Sequence, residues 1–198
     1  MTLLVPLKRT APTRCTKKSM MKKIFIAALV ASLGFMSCSS DDDGSGEQTT
    51  SLGGVWLLTE LNATPATDLN NDGVASVNLL TETTCFDTTA FSFQGNNTGT
   101  VNSTIATLEI DQNQIVNCAV RTDSGTYSIS GNTLSVTIDI NGGTATETRQ
   151  VVLTGNGSNA GDTLAFFVAN NEIGAYVNDP GNTVASSIQN LEFVYTKQ

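Results

Sequence analysis

The chain has 198 residues, with 10 Lys and Arg, 18 Asp and Glu, four cysteines and no histidine. That length suits one ordinary domain with a single core, and the missing histidine excludes Ser-His and Cys-His catalysis, His-ligated zinc and the commonest general base. Seven of the ten basic residues precede Cys38 and all 18 acidic residues follow it, so the chain from Cys38 onward carries 3 minus 18, or −15, which argues against nucleic acid and anionic lipid as partners.

Residues 1–19 fit neither a signal nor a domain, and translation is expected to begin at Met20 or Met21. Met21-Lys22-Lys23, the apolar run Ile24 to Ala31 and the small residues Ser32, Gly34 and Ser37 follow in the order of a secretory signal peptide. The apolar run is too short to span a bilayer.

Phe35-Met36-Ser37-Cys38 then resembles a bacterial lipobox, and Ser39-Ser40-Asp41-Asp42-Asp43 is similar to the acidic export signal of Bacteroidota surface lipoproteins. The resemblance implies that the Cys38 thiol is acylated and becomes the first residue of the mature protein. Several acyl chains, at about 0.8 kcal/mol per buried methylene, would hold it to the outer membrane, facing the cell surface or, alternatively, the periplasm. An ordinary signal cut near Ser37 is the other reading, which leaves a reactive free thiol at Cys38. Residues 1–37 are thus read as start and signal peptide, 38–51 as lipidated Cys and acidic tether, and 52–198 as the folded domain. The tether has a reach of roughly 20 Å.

From Leu52 the chain is rich in Thr, Val, Ile and Asn, with frequent turn residues and no sustained helical period, which predicts an all-β domain of eight to ten strands. Predicted strands are 54–61, 77–83, 89–94, 99–110, 115–121, a hairpin over 125–140, then 144–154, 163–169 and 191–197. In the hairpin, taking Gly131-Asn132 as the turn pairs Ser130 with Thr133, Ile129 with Leu134 and Tyr127 with Val136. Every apolar residue then meets an apolar partner, and a one-residue slip would destroy the match. Closing the strands into an up-and-down antiparallel β-barrel removes exposed sheet edges; a two-sheet sandwich is the alternative.

Gly54-Val55-Trp56 is similar to the G-x-W signature of lipocalins, whose Trp plugs the closed end of an eight-stranded barrel. The ordered series GGVWLLTEL, DLNNDGVASVNLL, ETTC, FSFQGNNTGT and GTYSISGNTLSV resembles the lipocalin-like domain of Bacteroidota lipoproteins. The resemblance implies a barrel with Trp56 packed at its base and a small apolar ligand in its mouth. Lipocalins also carry a second motif and a closing Arg; here Thr122-Asp123 is followed by Ser124-Gly125, and Lys197 is the only basic residue near the end of the domain.

Cys85 and Cys118 are the thiols left once Cys38 is acylated and Cys15 is set aside, and in an exported protein they are expected to form a disulfide. Closing a loop of about 33 residues contributes at most roughly 3.5 to 4 kcal/mol in the chain-entropy account.

Asp68-Leu69-Asn70-Asn71-Asp72-Gly73-Val74-Ala75-Ser76 follows the start of a calcium-loop pattern, in which alternate oxygen ligands converge as the glycine turns the chain. The ligands would be Asp68, Asn70, Asp72, the Val74 carbonyl and Ser76, with Glu82 or Glu60 completing the shell for Ca2+. Leu79 stands where an EF-hand needs a bidentate Glu, and a turn built on Asn, Asp and Gly accounts for the same residues without a metal.

The functional expectation is a non-enzymatic, membrane-anchored barrel binding a small apolar ligand. The alternative is a ligand-free interaction module displaying loops, with 170–190 as the candidate surface.

Overall fold

The structure is a computed structural model that describes residues 50–140 and 143–198. The signal segment, Cys38 and the tether up to residue 49 lie outside the described residues. Ten strands follow in order: β1 (Gly54–Thr67), β2 (Ser76–Asn78), β3 (Ala90–Gly95), β4 (Thr98–Ile110), β5 (Val116–Ser130), β6 (Thr133–Ile140), β7 (Gly143–Thr154), β8 (Thr163–Ala169), β9 (Val177–Asn178) and β10 (Asn190–Lys197).

Eight of these close into an antiparallel barrel, because β1 pairs with β3 on one side and with β10 on the other. The barrel and not the sandwich is formed. The β5–β6 hairpin has the expected register, with Ser130 opposite Thr133, Ile129 opposite Leu134 and Tyr127 opposite Val136.

Side-chain alternation separates a filled interior from a hydroxyl-rich exterior. Trp56 and Leu58 point in from the start of β1, and a bulge between Leu58 and Glu60 shifts the phase so that Leu61 and Ala63 are buried further along. The last strand buries Leu191, Phe193, Tyr195 and Lys197 in strict alternation. Outside, cross-strand hydroxyl pairs link Ser135 to Thr148, Thr137 to Thr146 and Thr154 to Thr163 at 2.7–3.0 Å. This is the structural use of the Thr-rich composition.

Several strand limits differ from the sequence reading. The strands predicted over 115–121 and at the start of the 125–140 hairpin are one strand, β5, because Thr122 to Gly125 pair residue by residue with β4 and form no turn. The predicted strand 77–83 ends at Asn78, whose side-chain oxygen caps a 3-10 turn at Leu79–Thr81. β1 runs past Pro65 to Thr67, its far edge passing from β3 to β2.

The ends of the barrel are built differently. Around Trp56 lie the tight β3–β4 and β5–β6 turns and the β7–β8 loop. At the opposite end the chain leaves β8, crosses to β4, where β9 pairs in parallel with Leu108 and Glu109, and returns to β10. Strands β8 and β4 stand on opposite sides of the barrel, so residues 170–189 span its mouth. They do not form the free display loop expected of 170–190: Ile173, Tyr176, Val177, Ala185 and Ile188 are all buried.

Candidate functional site: the barrel interior and its rim

Trp56 is fully buried at the base, and its indole Nε1 donates to the Leu52 carbonyl at 2.7 Å. Lys197 Nζ lies 5.7 Å from the centre of the Trp56 ring and donates to the Gly157 carbonyl at 2.6 Å. This lysine holds the place for which lipocalin resemblance implies an arginine, and a cation over an indole face is favourable in either form. Added side-chain bulk on Gly54 would collide with the Lys197 stem, so the glycine of the Gly54-Val55-Trp56 motif makes room for the plug.

Above the base the interior is aromatic. Phe93 and Tyr127 meet at 4.6 Å, Phe91 and Tyr195 at 4.9 Å, and Phe166 and Phe193 at 5.1 Å between ring centres. Most of the lumen is filled by these rings, as expected of an eight-stranded barrel. A cavity of about 60 Å³ remains, with Phe91, Ile105, Leu134, Val136 and Phe166 among its walls. That space admits a few water-sized groups and is far below the roughly 300–1,000 Å³ of a site that engulfs a drug-sized ligand.

The rim of the cavity is charged. Arg149, on β7, is bound through Nε to Glu147 at 2.6 Å and through Nη1 to Glu172, in the crossing segment, at 2.5 Å. Burial works against its charge, but the hydrogen bonds to Glu172 and Glu147 outweigh that and hold the guanidinium protonated beyond its ordinary range. Tyr176 reaches Glu147 at 3.5 Å and packs on Phe193 at 4.7 Å. Burial, then the Glu147 carboxylate, push its hydroxyl up to about 12. Arg121 on β5 pairs with Asp123 at 2.7 Å.

From Leu52 onward there are only three basic residues, Arg121, Arg149 and Lys197. Two line the cavity and the third seals the base. Neither arginine was singled out from the sequence. The available signal was their phase, since Arg121 and Arg149 fall on the inward rows of Tyr127 and Val151.

The predicted disulfide is present, with Cys85 and Cys118 Cα atoms 5.2 Å apart. Cys118 stands opposite Leu108 on β4, so the bridge holds the segment before β3, with buried Leu79 and Phe86, to the β4–β5 hairpin.

The Asp68–Ser76 loop uses its oxygens internally. Asp68 accepts from the Asp72 and Gly73 amides, Asn70 Oδ1 from the Asp72 amide, and Asp72 Oδ1 from the Val74 amide, all at 2.8–3.1 Å. The Ser76 hydroxyl turns to the Asn78 carbonyl. Glu82 reaches the loop but accepts from the Leu69 amide at 3.2 Å, while Glu60 binds Asn62. Among the described residues no three His, Cys, Asp or Glu side chains converge as a metal centre. As folded, these oxygens cap the amides of their own turn.

A sealed base, an aromatic lumen and a narrow cavity define a small closed antiparallel β-barrel. The family model of the lipocalin-like domain matches residues 52–157, more than half of the chain, and the chain belongs to that family. The match takes in β1 to β7; the closing strands β8 and β10 and the crossing segment lie beyond it. No curated protein and no solved structure matches the chain.

Proposed function

We propose that the protein is a lipoprotein anchored by Cys38 in the outer membrane, facing the cell surface, whose barrel binds one small, mainly apolar ligand. The observation that carries the reading is the cavity: an otherwise filled lumen keeps an opening between mainly aromatic and aliphatic walls, with buried Ser103 among them and the charged groups at the rim. Anchoring rests on the lipobox-like and acidic stretches around Cys38. The reading is non-enzymatic, because the chain lacks histidine and the rim carboxylates Asp123, Glu147 and Glu172 are tied to arginines.

Native mass spectrometry of protein purified from its own cells tests both halves. The expected result is an acyl mass on Cys38 together with a retained small molecule. An unmodified N-terminus removes the anchor. An empty barrel favours the second reading, a ligand-free interaction module, which draws on the exposed Val152 and Phe167 of the outer wall.

For the Asp68–Ser76 loop we propose only weak calcium binding, since the ion must displace the hydrogen bonds of Asp68 and Asp72. Calcium in the range of about 1 mM, typical of extracellular modules, should raise the melting temperature of the unaltered protein and leave Asp72→Ala unmoved. No shift in the unaltered protein removes calcium from the reading.

A further inference from the structure

The barrel wall is incomplete on one side. The β5–β6 ladder stops at Gly125 opposite Ile138, yet among the described residues β5 continues back to Val116 paired with β4 alone, and β6 continues to Ile140 paired with β7 alone. At Gly125 the two strands are pressed together, so that a Cβ there would collide with the Thr137 carbonyl, and beyond it they part. Outside the parting lies a groove of about 540 Å³ that shares Arg121, Ile138, Glu147, Arg149 and Tyr176 with the inner cavity.

The mouth is a poorer route. The crossing segment is tied to the barrel by backbone bonds from Leu108 to Tyr176 and from Gln189 to Thr64 at 2.7–2.8 Å, and by the β9 pairing. Opening it means breaking these together, whereas the side groove and the inner cavity already share lining residues.

We propose that the parting between β5 and β6 is the way into the cavity, and that its groove holds the uncharged, hydroxyl-bearing head and upper chain of a single-chain amphiphile, of which only the chain's end enters between Leu134 and Phe166. The inference rests on the ligand-binding reading above. The groove selects the head by what its groups leave uncommitted. Glu147 and Glu172 line the groove with the two guanidiniums, and Asp123 pairs with Arg121 beside it, so three carboxylates outnumber two guanidiniums and the surplus negative charge repels a carboxylate or phosphate head. An ammonium head is drawn to these carboxylates but, offering donors only, leaves the Arg121 Nη groups without an acceptor. A hydroxyl both accepts and donates: Arg121 keeps both Nη groups free, and Glu147 Oε2 and Glu172 Oε1 accept from no residue among those described.

The experiment titrates the purified full-length protein with 1-monooctanoylglycerol, octanoate and octylamine, which share a chain and differ in head. The glycerol ester should bind about 10-fold more tightly than octanoate, given the cost of like-charge contact, and more tightly than the amine. Arg121→Ala removes a positive charge and the uncommitted donors, so it should widen the gap from octanoate and abolish the preference over octylamine. Ala145→Trp, in the groove but outside the cavity, should slow association about 10-fold, and Asn171→Trp serves the same purpose if the first variant does not fold. Equal affinities for all three probes, a preference for octanoate or octylamine, or an association rate untouched by a folded groove variant overturns this inference alone. Binding of none of the three overturns the ligand-binding reading as well.

Discussion

The two ends of the barrel are closed by different physics. At the base a few side chains interlock: Trp56 bonds to Leu52, Lys197 covers the ring, and Gly157 accepts the ammonium. At the mouth a stretch of chain lies across the opening, held by ion pairs, short backbone contacts and the packing of Tyr176. Burying a large apolar side chain is worth several kcal/mol, while individual surface ion pairs are worth about 0–1 kcal/mol. The base is therefore the anchor of the fold, and of the two ends the mouth is the one whose local opening is expected to cost less.

Breaking the base should have the largest effect. Trp56→Ala removes the plug from a fully buried site and should cost about 3–5 kcal/mol in urea unfolding. A loss below about 1 kcal/mol would mean that the base is not the anchor. Next comes the staple near the mouth. Cys118→Ser should lower stability by at most about 3.5–4 kcal/mol, with hydrogen exchange rising first in residues 79–89, the segment that the bridge holds. An unchanged melting temperature would show that the bridge is not formed.

Alkaline titration sharpens the comparison further. Tyr176 is held above its ordinary value of 10.0, at about 12, by burial and Glu147. The folded chain therefore keeps a proton that the unfolded chain loses, so this group's contribution is complete below about pH 10 and drains away as pH rises toward 12. Burial also raises Tyr127 and Tyr195, the other two tyrosines. Phenolate absorbance should appear late, and the melting temperature should fall across that window. A transition centred on the ordinary value for all three would contradict the packing described at the mouth.

What the residues announced in advance follows the same division. The β5–β6 hairpin was legible to the residue because strict alternation and a Gly131-Asn132 turn leave one acceptable register. Trp56 was legible from the Gly54-Val55-Trp56 signature. The mouth was not, because crossing residues such as Ile173 and Tyr176 are scattered among Asn, Gly and Asp and have no period; what buries them is the far wall, a long-range contact. The same holds for Thr122 to Gly125, whose turn-like composition was overridden by a partner strand. Arg149 was hidden because two of its neighbours in space, Glu172 and Tyr176, lie more than twenty residues further along.

The seam between β1 and β10 has a bearing on biogenesis. The cylinder closes only when its first strand meets its last, so a nascent chain stays open until β10 has left the ribosome. Under the export proposed above, a machine that threads unfolded polypeptide would receive it in that state, and the final ring of hydrogen bonds would be drawn shut on the far side of the membrane.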